Sequence, residues 1–212
     1  ELYHLERVKK GSGKPPEIYL MEGFMDVIAA YRAGIENAVA SMGTALTSEH
    51  VEHLKRFTKK VIVTYDGDKA GQAATAKALD ELKDLPVQVV QIPDAMDPDE
   101  YLQKNSPQDL AYLLTNTRIS PVEFYIHHFR PENSENLQAQ IEFIENIAPL
   151  IAKESSITAQ NSYIHILTDH LPSFDYQQVE HIVNESRVRQ RKEKVKEPYS
   201  PSPINMSVTK QL

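Results

Sequence analysis

Four short apolar runs, each leading into a stretch with helical spacing, constrain the first half of this chain more than any other feature. Ile18-Tyr19-Leu20-Met21 reads as a buried strand, and a helix follows from about Phe24 to Ala33, stopped by Gly34. Asn37 to Met42 is a second strand, ended by Gly43, after which Thr47 or Ser48 caps a helix to about Phe57. Val61-Ile62-Val63-Thr64-Tyr65, rich in β-branched residues, is the strongest strand and runs into Asp66-Gly67-Asp68. An Ala-rich helix from about Lys69 to Leu82 precedes a fourth strand, Val87 to Ile92, and a Pro- and Asp-rich loop from Pro93 to Asp99. Such alternation predicts an α/β fold whose mostly parallel sheet is covered by helices. Ligands of these sheets sit beyond the carboxyl ends of the strands, and three of the four runs end in acidic residues.

From about Arg118 the pattern changes to amphipathic helices over about Pro121–Phe129, Asn136–Lys153, Ile157–Leu171 and Asp175–Lys196. We therefore expect a domain over residues 17–117, a small helical subdomain over 118–196, and a Pro- and Ser-rich linker or disordered tail over 197–212. The first residue is Glu rather than Met, which suggests a fragment.

Composition narrows the chemistry. The chain has no Cys, which excludes disulfides, a thiolate zinc site and a cysteine nucleophile. A net charge of −7 argues against nucleic-acid binding over the whole surface, so the acid is concentrated at a site or the basic surface lies elsewhere. No apolar run approaches the roughly 18 residues of a membrane span and no signal peptide opens the chain, so a cytoplasmic location is expected.

The acids themselves are informative. Asp66 and Asp68 flank Gly67 at the end of a buried strand, where they repel one another unless a cation intervenes. Hard oxygen ligands grouped this way suit Mg²⁺ or Mn²⁺, although an Asp-Gly turn is also common in its own right. Glu22, at the end of another buried strand, should point into the same edge. Asp26 lies one helical turn beyond it, where a carboxylate also stabilises a helix N-terminus. Asp97 and Asp99 follow the fourth strand, and either also suits a helix cap. His50 and His53 share a helix face without a third ligand. Lys55, Arg56, Lys59 and Lys60 form a basic cluster of the kind that is usually solvated, and Arg187 to Lys196 is strongly basic and helical; it ends a helix favourably or contacts nucleic acid.

Taken together, Met21-Glu22-Gly23-Phe24-Met25-Asp26-Val27, Ala40-Ser41-Met42-Gly43-Thr44 and Tyr65-Asp66-Gly67-Asp68-Lys69-Ala70-Gly71 resemble the Toprim core of bacterial primases, and Asp97-Pro98-Asp99 resembles that family's next acidic motif. The resemblance spans about Ile18 to Leu102. It implies a Toprim-type sheet and synthesis of short RNA primers on a single-stranded DNA template, with NTPs as substrates. It implies that Glu22, Asp66 and Asp68 are catalytic and hold Mg²⁺ or Mn²⁺, two or more ions being possible. Asp97 and Asp99 would add metal contacts, and Asp26 and Lys69 are secondary candidates. Residues 1–16 would be the lead-in from a basic subdomain not contained here, and the family's zinc ribbon and helicase-binding domain are not contained either. A monomeric fragment acting at the bacterial replication fork is the expectation, with its activity in isolation open. Two alternatives stand beside it: a Toprim nuclease or topoisomerase-like enzyme, and a fragment that only binds metal, nucleotide or a protein partner.

Overall fold

A computed structural model describes residues 1–10 and 15–196 of the 212-residue chain. The expected tail, 197–212, lies outside the described residues. Two compact units are present, Glu1–Arg130 and Pro131–Leu212.

The first unit is built on strands β1 (Ile18–Met21), β2 (Ala38–Ala40), β3 (Val61–Val63) and β4 (Val87–Val89), all parallel, in the order β2-β1-β3-β4. Side chains alternate across a strand, so β1 sends Ile18 and Leu20 to one face and Tyr19 and Met21 to the other. Both faces are covered, which is why the strands are continuous apolar runs rather than alternating ones. On one face Leu20, Val61 and Val63 pack with Val51 and Leu54 of α3 (Ser48–Phe57) and Leu79 of α4 (Lys69–Glu81). On the other, Tyr19, Met21 and Ile62 pack with Val27 and Ala30 of α2 (Phe24–Arg32).

β1 matches its apolar run, whereas β2, β3 and β4 are shorter than theirs. Past Val63 the parallel ladder contributes only Thr64 N–H to the Leu20 carbonyl and Val90 N–H to the Val63 carbonyl, and the chain then diverges into the loops of the carboxyl edge. The region after β4 is also more helical than the sequence suggested. A 3₁₀ turn over Pro93–Ala95 leads to α5 (Pro98–Lys104) and α6 (Pro107–Asn116), whose Leu110 and Leu114 are fully buried, and α1 (Leu5–Lys10) precedes the sheet.

The unit extends through Arg130, past the 117/118 boundary expected from the sequence. The reason is α7 (Pro121–His128), which carries Phe124 into the core beneath the sheet and Tyr125 to a hydrogen bond with Asp80 of α4. Just before it, Ile119 and Val89 exchange backbone hydrogen bonds at 2.9 Å, which extends the outer edge of β4.

At the amino edge of the sheet, charges are paired. Glu17 accepts two hydrogen bonds from Arg118, at 2.8 and 3.0 Å, and a third from Lys60 at 2.9 Å. Arg118 also donates to the Tyr19 hydroxyl and to the Leu114 carbonyl. Burial pushes the Glu17 carboxyl up, but Arg118 and Lys60 together outweigh it and hold its pKa below the ordinary glutamate value.

The second unit contains α8 (Leu137–Lys153), α9 (Ile157–Thr168) and α10 (Tyr176–Lys196). Phe143, Ile147 and Ile151 of α8, Ile164 and Leu167 of α9, and Val179 and Val183 of α10 are buried. Gln140, fully buried, bonds Ser134 and Ser173 with its amide, so the turn between α9 and α10 is anchored by a satisfied polar group. No helix among the described residues is long and apolar enough to cross a membrane.

Candidate metal centre at the carboxyl edge

Glu22 directly follows β1, and its backbone carbonyl receives the N–H groups of Met42 and Gly43, which turn there with φ of 61° and 70°. This joins the ends of β1 and β2. Its side chain crosses to β3, where Oε1 accepts the Asp66 N–H at 3.3 Å. Two strand ends are thereby tied by one of the acids in question.

The turn after β3 is fixed by close backbone approach. A Cβ on Gly67 would lie 2.2 Å from the Ile92 carbonyl oxygen, so only glycine lets the loop after β4 sit against Asp66. Gly67 N–H donates to the Met96 carbonyl at 2.9 Å, and Gln72 donates to the Gly67 carbonyl at 3.1 Å. A Cβ on Gly71 would lie 2.2 Å from the Asp66 carbonyl oxygen, so the first turn of α4 also packs directly on this backbone. Asp68 is the N-cap of α4, accepting the Gly71 N–H at 2.7 Å. Asp97 caps α5 in the same way through Glu100 N–H at 2.7 Å.

Asp26 is the most buried of these acids, at 6% exposure. It accepts the Gly23 N–H at 2.9 Å and the Asp99 N–H, and so links the start of α2 to the start of α5. Sequence reasoning ranked it behind the others because a carboxylate in a first helical turn has an ordinary explanation; its burial depends on α5, which packs against α2.

The electrostatics of this edge run opposite to those of the amino edge. Burial, and then the negative charges of Glu22, Asp26, Asp97 and Asp68, raise the Asp66 pKa to about 7. Burial raises Asp26 to about 6, with Asp97 and Glu22 adding to it against the Gly23 and Asp99 N–H groups. Glu22 is raised by burial and by Asp68, in spite of the Asp66 N–H. The structure thus gathers Glu22, Asp26, Asp66, Asp68 and Asp97 within range of one another's charge. Asp99 contributes its backbone, while its carboxylate accepts from Gln103 at 2.8 Å. Lys69 is exposed at the first position of α4.

Among the described residues, no three His or carboxylate side chains already stand in a ligating arrangement. Asp68 and Asp97 are engaged as helix caps and Asp99 with Gln103, so ligation asks for side-chain rotation rather than a change of fold. The donor set nevertheless fits a hard divalent cation: all oxygens, crowded enough that their charges are mutually unfavourable without one. A cleft of about 440 Å³ opens beside Glu22, lined by Ser41, Thr44, Tyr65 and the alanines of α4.

Three of the other polar groups singled out in the sequence have structural occupations. His50 closes a capping box with Thr47. Lys55 pairs with Glu52 and Asp84, and Lys60 with Glu17.

Comparison with known proteins agrees with this fold. Residues 19–102 match a family described as Toprim-like, a stretch that takes in all but the first residue of the four strands and every acid of the carboxyl edge, so the sheet unit has a Toprim-like fold. The chain is 53% identical to the DNA primase of Lactococcus lactis subsp. lactis over 184 residues, 87% of this chain and 29% of that one. It superimposes on a DNA primase domain from Pseudomonas aeruginosa with a TM-score of 0.62 at 25% identity, covering 87% of this chain and 59% of that chain. A DnaG primase catalytic domain bound to ssDNA gives 0.63 at 28% identity, over 84% and 58%. The chain is thus similar, over most of its length, to bacterial DNA primases and to the catalytic cores of DnaG primases. It spans less than a third of the length of the curated relatives it matches. The Toprim primase family depends in general on divalent metal.

Proposed function

We propose that this chain supplies the metal-binding catalytic core of a DNA-dependent RNA polymerase that makes short RNA primers on single-stranded DNA for replication. The observation that carries the reading is the Asp66 carboxyl, raised to about 7 by burial and by four surrounding carboxylates at the end of β3. A site held in that condition suits a ligand that is cationic, and the likeness to primases supplies the reaction. In this reading Glu22, Asp66 and Asp68 hold Mg²⁺ or Mn²⁺, with Asp97 and Asp99 adding contacts after rotation from their present partners. Asp26 ties α2 to α5 beneath them. Lys69, at the mouth, meets a phosphate of the NTP.

Bound divalent metal supplies activation of the primer 3′-hydroxyl and offsets the charge of the departing pyrophosphate. The chain's own contribution is placement. Glu22, fixed by the Asp66 N–H, stands where it can orient the hydroxyl or accept its proton, and its raised pKa suits that exchange. The template, the NTPs, a helicase partner reached through a further C-terminal domain, and action in the cytoplasm at the replication fork belong to the same proposal.

The test is primer synthesis on single-stranded DNA with Mg²⁺ or Mn²⁺ by a protein of the relatives' full length. Glu22→Gln should lower synthesis by roughly 10²-fold or more, with the melting profile unchanged. Undiminished synthesis by that variant would remove Glu22 from the chemistry, and absence of synthesis by the unaltered protein would defeat the polymerase reading altogether.

A further inference from the structure

In the helical unit, α10 sorts its cations. Arg189 is exposed and reaches Glu185 at 3.5 Å. Arg187 and Arg191, four residues apart and therefore on one face, line a cleft of about 650 Å³ against the turn between α8 and α9, together with Lys153, Gln160 and Gln190. Three cations face this space against one lining carboxylate, Glu154.

Arg187 is held rather than swinging free. Its Nη2 donates to Gln160, which is 6% exposed and donates in turn to the Glu154 carbonyl. Gln190 braces the adjacent turn through the Pro149 carbonyl at 3.0 Å. Held this way, the guanidinium keeps its Nε buried with no acceptor. A desolvated donor on a permanent cation is costly, and an anionic oxygen is the acceptor that satisfies it most strongly. A planar guanidinium already fixed in place matches a phosphate, and Arg191 and Lys153 at the open rim extend the positive surface on either side.

We propose that this cleft binds the phosphodiester backbone of single-stranded nucleic acid. The argument from charge is local: a chain of net charge −7 cannot attract a polyanion with its whole surface, so any contact must be made where cations are concentrated. The choice of nucleic acid as the polyanion rests on the primer-synthesis reading, whereas the surface itself lies within the helical unit and needs no metal.

The experiment is fluorescence anisotropy of a labelled oligothymidylate with the 212-residue chain across a range of salt concentrations. The wild-type chain should bind with a clear salt dependence. Lys153→Gln/Arg191→Gln, at two exposed positions where folding is not at stake, should weaken binding about tenfold and reduce the salt slope by about 1.4, at roughly 0.7 per phosphate contact on a single strand. Adding Arg187→Gln should deepen the loss. A double variant matching wild type in affinity and slope overturns the proposal. So does protection of the fold by millimolar inorganic phosphate without oligonucleotide binding, which would mark a small-anion site. Mn²⁺ titration of the same proteins reads the carboxylate edge separately, so failure here and failure of the metal-centre reading are told apart.

Discussion

The two ends of one sheet treat charge in opposite ways. At the amino edge a single carboxylate, Glu17, is met by Arg118 and Lys60, and its pKa is held down. At the carboxyl edge five carboxylates surround one another and the pKa of Asp66 climbs to about 7. Both edges are formed by the same strands, so the difference is not imposed by the fold. A structural acid is given its cation by the chain; the acids of the other edge have a charge balance suited to a cation from outside. Four measurements test that contrast, in descending order of expected effect.

Gly71→Ala probes the backbone that shapes the acidic edge. With a Cβ forced to within 2.2 Å of the Asp66 carbonyl, we expect a loss of about 3 kcal/mol by urea denaturation, together with weaker Mn²⁺ binding. An unchanged unfolding midpoint would mean that the turn after β3 is not set by this approach. Arg118→Met attacks the amino edge and should cost about 1.5–3 kcal/mol, since it strips the bidentate partner from a half-buried carboxylate. Because the Glu17 pKa is depressed on folding, its contribution is present above the ordinary glutamate value of about 4.3 and is lost as pH falls. The gap between wild type and Arg118→Met should therefore close in acid.

Asp66→Asn should behave in the reverse sense. The Asp66 pKa is raised on folding, so its favourable contribution is complete below the ordinary aspartate value of about 3.9 and is lost as pH rises through about 7. In EDTA at pH 8 the variant should be more stable than wild type by about 1 kcal/mol, less than full linkage implies because the site is partly open to solvent. Saturating Mg²⁺ should erase or invert that advantage. A variant less stable than wild type in EDTA would break the contrast between the edges. The smallest effect belongs to Tyr65→Phe. The phenol oxygen of this residue is buried and has no well-formed hydrogen bond, with only the Ser41 side chain in reach, so its removal should leave stability within about 0.5 kcal/mol.

The sequence carried the placement of Glu22, Asp66 and Asp68 because it depends on short-range information, namely where an apolar run stops and which residue follows. It also carried the four parallel strands, since a strand buried on both faces shows itself as an unbroken apolar run. What it did not carry was long-range. Arg118 meets Glu17 across 101 residues, and neither residue type announces the other. The need for glycine at position 67 comes from the Ile92 carbonyl, which reaches it only through the loop after β4. Asp26 looked like an ordinary first-turn acid until α5 covered it. α6 is a different case: Ser106-Pro107-Gln108-Asp109 forms a capping box with Pro at the first helical position, and that signal was there to be read. The boundary between the units was displaced because α7 has the same amphipathic signature as the helices after it, although its Phe124 belongs under the sheet.

Arg118 has a consequence for modularity. The stretch recognisable as Toprim-like closes at residue 102, yet the side chain that neutralises Glu17, the backbone that borders β4 at Ile119 and the leucines of α6 that cover Tyr19 all come afterwards. A cassette cut to the recognisable stretch would carry every acid of the metal edge on a scaffold lacking its counterweight, and transplanting this site into another protein requires the sequence through Arg130.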